Sequence, residues 1–161
     1  MPDKIFPEAG LFFLTGRVGI QAALFLLLLS AVSFCDLKWR EIPDSLQLAI
    51  ASLAFLRFSP GNLLGAFVAL PYLMAALFFP GMEGMGGGDI KLAAATGIVL
   101  GLPASLTASL LGLLAFTLYG ITYTFIKRLQ GEKKIFSFPV GPFLAVGSSA
   151  AYFMKIGGLI L

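Results

Sequence analysis

Residues 92–126 contain no charged side chain. The run is too long for one bilayer crossing of roughly 20 residues and a little short for two. Gly101-Leu102-Pro103 breaks it, so its first part reads as a short helix beginning near Asp89. A second charge-free run, residues 18–35, is long enough to cross a hydrocarbon core of about 30 Å. The chain is 58% hydrophobic and only 12% charged, against roughly 45–50% and about 25% for soluble domains. A soluble fold of 161 residues could not hide that much apolar surface. The lipid bilayer is therefore the expected solvent.

Charges and turn residues punctuate the rest. Residues 36–44, DLKWREIPD, read as a polar connector, and residues 45–56 as a short apolar helix with Arg57 snorkelling at its end. Ser59-Pro60-Gly61 is a tight turn. Residues 62–79 form a third span containing Pro71, which membrane helices tolerate. Residues 80–88, PGMEGMGGG, are a glycine-dense loop; residues 127–134, KRLQGEKK, are a charged one; residues 135–161 close the chain as a last span. The pattern predicts an all-α, polytopic membrane bundle of about six transmembrane helices, two of them short, in a single domain over residues 1–161. Residues 1–10 carry Asp3, Lys4 and Glu8, and no small-residue cleavage site follows the first apolar run, which is expected to stay as an anchor.

Connectors alternate sides of the membrane. One side receives Lys38, Arg40, Lys91, Lys127, Arg128, Lys133 and Lys134; the other receives Lys4, Arg17, Arg57 and Lys155. The positive-inside rule assigns the first group to the cytoplasm of a cell (inner or plasma) membrane. The net charge of +3 is scattered rather than striped, which argues against a nucleic-acid partner. There is no His, and Cys35 alone makes neither a disulfide nor a zinc site, so no cofactor or metal is expected, an all-carboxylate site being the one metal alternative. Without a base beside it, Cys35 reads as a packed small residue.

Asp36 directly follows one apolar run and Asp89 directly precedes another, on the same predicted side. Acidic groups at the edge of hydrocarbon are costly and usually have a role. Two carboxylates sharing a site can divide one proton, one activating water and the other donating to the carbonyl or leaving amine. The helix dipole would favour an anion at Asp89, which opens a helix, and disfavour one at Asp36, which ends one. Gly84, Gly86, Gly87 and Gly88 would permit unusual dihedrals and close approach of a substrate strand. Plainer readings stand beside these. Asp36 alone reads as an interfacial charge, the glycines as a connector, Lys91 as an interface marker in preference to a partner of Asp89, and Glu41, Asp44 and Glu83 as solvated loop charges. As a different class of function, Asp36 and Asp89 could serve a small transporter as ion or proton sites, although such sites belong deep in spans.

Together these segments resemble a known family. Gly86-Gly87-Gly88-Asp89 is a GxGD motif, and its setting, GMGGGDIKLAAATGIVLG, looks like the second catalytic segment of type IV prepilin peptidases. Residues 36–44 are similar to that family's first catalytic segment, an Asp at a helix end followed by a basic residue and Ile-Pro. Residues 138–145, FPVGPFLA, look like a third; taken alone they read as a helix start with Pro in the first turn. The resemblance runs from about Asp36 onward, and its three ordered segments are more specific than GxGD alone. It implies an aspartic endopeptidase of the GxGD type, with Asp36 and Asp89 catalytic, Gly86, Gly87 and Gly88 at the substrate, and the site facing the cytoplasm. The substrate implied is a prepilin or pilin-like precursor, cut at its short basic leader. Larger members carry a cytoplasmic domain with paired CxxC motifs and also methylate the new N-terminus. With Cys35 alone, the expectation here is a peptidase-only form, similar to short enzymes of tight-adherence systems and to preflagellin peptidases.

Overall fold

Six α-helices and no strand form among the described residues of the computed structural model, which are 16–78, 86–130 and 138–160. The expectations for the N-terminal segment, Glu83, Gly84, Glu132, Lys133 and Lys134 lie outside them. The helices are α1 (Arg17–Trp39), α2 (Asp44–Ser52), α3 (Ala69–Phe78), α4 (Gly87–Leu100), α5 (Leu102–Leu129) and α6 (Gly141–Ile156). Tight 3₁₀ turns at Leu53–Arg57 extend α2, and others at Pro60–Val68 run straight into α3. Three stretches are long and apolar enough to cross a membrane: Val18–Trp39, Pro60–Phe78 and Leu102–Leu129. The protein is an all-α membrane helix bundle.

The outside of the bundle is as apolar as its inside. Leu27, Leu110 and Phe125 are 63%, 68% and 64% exposed, while Phe25, Leu29, Val32, Ile50 and Leu92 are buried. In water such a sheath would drive aggregation; in lipid it is the solvated surface. Lipid gives helices no hydrophobic reason to associate, so close packing must supply the attraction. Glycines permit it. A Cβ on Gly65 would land on the carbonyl of Gly97, and one on Gly97 would land on that of Gly65. Gly147 sits likewise against Ala108 and Gly112, where α5 meets α6.

Helix ends follow local chemistry. α1 runs one turn beyond the apolar stretch, so residues 36–39 are helical rather than a connector, with Lys38 in the last turn where a cation suits the dipole. It stops at Arg40, in the left-handed region with φ 55°, whose N–H caps the Asp36 carbonyl. Ile42-Pro43 follows, and the residue before a proline disfavours helix. The break between α4 and α5 is at Gly101, with φ 78° and its N–H on the Gly97 carbonyl at 2.7 Å, as the sequence indicates.

α4 sits centrally, packed on α2, α3, α5, α6 and the Pro60–Val68 turns. Its 14 residues rise only about 21 Å, short of a full crossing. A recess lies at its N-terminal end, where Gly86 to Asp89 line a cleft.

Candidate active site

Four chain segments meet at that recess. Asp36 comes from the last turns of α1, Ile42 and Asp44 from the link into α2 and its first residue, Gly86 to Asp89 from the start of α4, and Phe138 to Val140 from the approach to α6. They line a cleft of about 480 Å³ with Arg40 and Glu41. Asp36 and Asp89, 53 positions apart in sequence, both line this one cleft and both are buried, at 6% and 7% exposure.

Each carboxylate is held by backbone. Asp36 Oδ2 accepts the N–H of Gly141 at 2.9 Å. Asp89 Oδ2 accepts the N–H of Gly86 at 3.1 Å, while the Asp89 N–H donates to the Gly86 carbonyl at 3.1 Å. That reciprocal pair closes the first turn of α4, with Gly86 in an extended conformation (φ −86°, ψ 163°). Asp89 thus serves as its own helix's cap, and its first-turn position is favourable for an anion. Burial outweighs this. Loss of water pushes the Asp89 carboxyl up to about 6; the Gly86 N–H opposes the shift, and the Asp36 carboxylate adds to it.

The walls are braced from both sides. Phe138 packs edge-on against Tyr119 and Tyr123, with ring centroids 5.3 and 4.6 Å apart. Phe143 packs on Phe116 and Tyr119, which ties the start of α6 to α5. On the other side Lys91 pairs with Asp44, its Nζ 2.8 Å from Oδ1 and 3.0 Å from Oδ2. Lys91 is therefore neither a partner of Asp89 nor only an interface marker, and Asp44 is an ion-paired residue of the cleft wall. Glu41 and Asp44 are exposed, as expected of solvated charges, and both also line the cleft. No three His, Cys, Asp or Glu side chains converge as a metal site among the described residues.

The glycines need a different explanation from the expected one. Gly86, Gly87 and Gly88 all line the cleft, yet none has positive φ. Gly87 and Gly88 are already helical. A Cβ on Gly87 would meet nothing within 4 Å, and one on Gly88 would touch Ile42 Cβ at 3.4 Å. What their lack of side chains provides is an uncovered wall, not an otherwise forbidden backbone.

Sequence reasoning left two neighbours of the pair unassigned. Gly141 lies in a segment noted for its resemblance, but a backbone donor has no side-chain signature. Gln47 is buried in α2, with its amide on the carbonyls of Ile42 and Gly88, each at 3.3 Å. An amide within the apolar run LQLAIA is the signal that could have singled it out.

Comparison with known proteins bears directly on this cleft. The model of the type IV leader peptidase family matches residues 23–121, more than half of the chain and inclusive of both aspartates. The chain belongs to the type IV leader peptidase family. It is 33% identical, over 90% of its length, to the prepilin leader peptidase/N-methyltransferase of Burkholderia pseudomallei. The proteins of that name from Bacillus subtilis and Aeromonas salmonicida are 32% and 36% identical over 92% and 83% of the chain. The chain spans 50%, 61% and 49% of the lengths of these three relatives. No solved structure matches it. The family membership thus falls on a chain with three stretches long and apolar enough to cross a membrane.

Proposed function

We propose that this single-domain protein is an aspartic endopeptidase of the GxGD type that removes the short basic leader of prepilin-like precursors at the cytoplasmic face of the cell membrane. The observation that carries the reading is the meeting of two buried carboxylates, Asp36 and Asp89, in one cleft. The relatives' names supply the substrate class, a prepilin.

The chemistry follows from the pair holding one proton. The ionised carboxylate takes a proton from water as its oxygen bonds to the scissile carbonyl carbon. The protonated carboxyl gives its proton to the carbonyl oxygen. Collapse of the resulting diol breaks the C–N bond: the proton first taken from water passes to the leaving nitrogen, and one diol hydroxyl returns its proton to the carboxylate that had donated, which restores the one-proton pair. A carboxyl titrating near 6 is poised to hold that proton close to neutral pH. Bonding each Oδ2 to a backbone N–H fixes the carboxylates' orientation before substrate arrives.

Charge supports both substrate and orientation. Asp36, Glu41, Asp44 and Asp89 line the cleft with Arg40, and Lys91 pairs with Asp44, which leaves an acidic balance that draws a basic leader. Lys38, Lys91, Lys127 and Arg128 gather at the same end, as the positive-inside rule asks of a cytoplasmic face. Trp39 is exposed beside Lys38, whose Nζ lies 4.7 Å from a ring centroid, a pairing suited to the headgroup region. Gly86, Gly87 and Gly88 would form the bare wall along which the leader lies.

The test is cleavage of a prepilin-like precursor by the protein reconstituted in lipid. Asp36→Asn and Asp89→Asn should each abolish it while the protein still inserts and folds. The double variant should look no worse than either single, since partners in one step act as a unit. Substantial cleavage by either single variant would exclude the pair, and transport-type function would then regain ground.

A further inference from the structure

We propose that Gln47 is a positioning residue, whose buried amide clamps the Gly86–Asp89 turn to the segment that follows the Asp36 helix. The inference rests on the reading of Asp36 and Asp89 as the working pair and adds the part that sets one against the other.

Gln47 is 5% exposed. Its Nε2 donates to the Ile42 carbonyl and to the Gly88 carbonyl, each at 3.3 Å. A primary amide has two N–H groups, and both are used. The two acceptors belong to different catalytic segments. Ile42 lies in the short link between α1 and α2, and Gly88 is the residue before Asp89. One side chain therefore spans from the Asp36 side of the cleft to the Asp89 side.

The side-chain contacts that join these segments differ in strength. The Lys91–Asp44 ion pair is solvent-exposed, at 58% and 69%, where such pairs contribute little. Ile42 lies beside Gly88 as an apolar contact without direction. The Gln47 bonds are directional and start from a buried side chain, so they define where the Gly88 carbonyl stands. A purely structural role would be filled better by Leu or Met, since burying an amide is costly unless it is bonded. Removing the amide would take from the half-buried Ile42 and Gly88 the donor that their carbonyls share. The turn carrying Asp89 would then shift from Ile42 and admit water.

The experiment uses the full-length protein in lipid nanodiscs with Gln47→Met and Gln47→Glu. Cleavage kinetics, thermal unfolding and a carbon-13 carboxyl titration of Asp89 are measured on each. Gln47→Met should lose about a hundredfold in kcat, the penalty of a displacement near 1 Å, with little change in KM. The Asp89 titration should fall by about one pH unit as water reaches the carboxyl. Gln47→Glu, when protonated, can donate to one carbonyl only, so its kcat should lie between the two. The idea is overturned if both variants keep wild-type kcat, or if unfolding temperature drops while the Asp89 titration stays in place. The titration also separates the two readings. If it moves in Gln47→Met while Asp89→Asn still cleaves precursor, the clamp stands and the catalytic assignment falls.

Discussion

The backbone N–H of Gly141 donates to Oδ2 of Asp36 at 2.9 Å, a bond between residues 105 apart in sequence. It joins the end of the first helix to the start of the last and sets the orientation of one carboxylate in the cleft. The position is glycine for a steric reason. A Cβ there would stand 2.5 Å from Asp36 Oδ2 and 3.1 Å from its Cγ.

Gly141→Ala should therefore push the Asp36 carboxylate from its donor. Cleavage is expected to fall about a hundredfold, as a shift of about 1 Å demands. Stability should change much less, because Gly141 has no positive φ and Ala is the better helix former. Gly120→Ala is the control, since a Cβ there meets nothing within 4 Å. Initial rates of precursor cleavage beside thermal melts decide the matter; equal rates for both variants would show that the Asp36–Gly141 bond is dispensable.

Asp89 makes a pH prediction with a definite sign. Its carboxyl is raised from 3.8 to about 6, so the folded state holds the proton more tightly than the unfolded chain. Stability from this group is full below the unfolded value and is lost as pH rises through about 6. Asp89→Asn removes that cost. It should unfold at a higher temperature than wild type at pH 7.5, by a few kcal/mol at most, and the difference should vanish near pH 4. Melting curves of both proteins across that range are the check. A variant less stable than wild type at pH 7.5 would mean that Asp89 supports the fold more than it strains it.

Several parts of this architecture were legible because charge and apolarity mark them. Asp36 and Asp89 stand at the edges of charge-free runs, where an acid needs a reason, and Gly101 announces the break between α4 and α5. The helical turn over residues 36–39 was hidden because DLKW looks polar, although its residues suit a helix end. The 3₁₀ turns at Pro60–Val68 were hidden too, since apolar periodicity does not distinguish tight turns from α-helix over so short a length. The partners of the carboxylates were out of reach: Gly141 and Gly86 act through backbone N–H groups, which every residue but proline has. Lys91 met Asp44 instead of Asp89 because tertiary packing of α2 on α4, not sequence proximity, sets its neighbour.

The contact of Gly65 with Gly97 should dominate the stability of the middle of the bundle. Their backbones meet where a Cβ on either would strike the other's carbonyl. Gly65→Ala and Gly97→Ala should each destabilise by roughly 1–3 kcal/mol, the usual range for overpacking. The double variant should cost less than the sum, because the first separation makes room for the second methyl. Unfolding in mild detergent would measure this. Full additivity would show that the two glycines do not share one contact.

The bare wall of the cleft gives the last prediction. Gly87 lies in the first turn of α4 with negative φ, and a Cβ there meets nothing within 4 Å. Backbone strain is therefore no obstacle, and Gly87→Ala should keep the fold or stabilise it by about 0.4–1 kcal/mol through the unfolded state. Its methyl group would nevertheless stand on a wall of the cleft that the leader is proposed to occupy. Larger side chains take more of that space without touching the bundle. Cleavage should accordingly fall stepwise from Gly87→Ala to Gly87→Val to Gly87→Leu, mainly through a rising KM, because a blocked approach weakens binding before it alters chemistry. Gly88→Val should behave differently: its Cβ would already touch Ile42 at 3.4 Å, so both stability and turnover should suffer. Steady-state kinetics on one precursor, with a melt for each variant, separates the two positions. If Gly87→Leu cleaves at the wild-type rate, the glycine turn is only a connector and the substrate lies elsewhere.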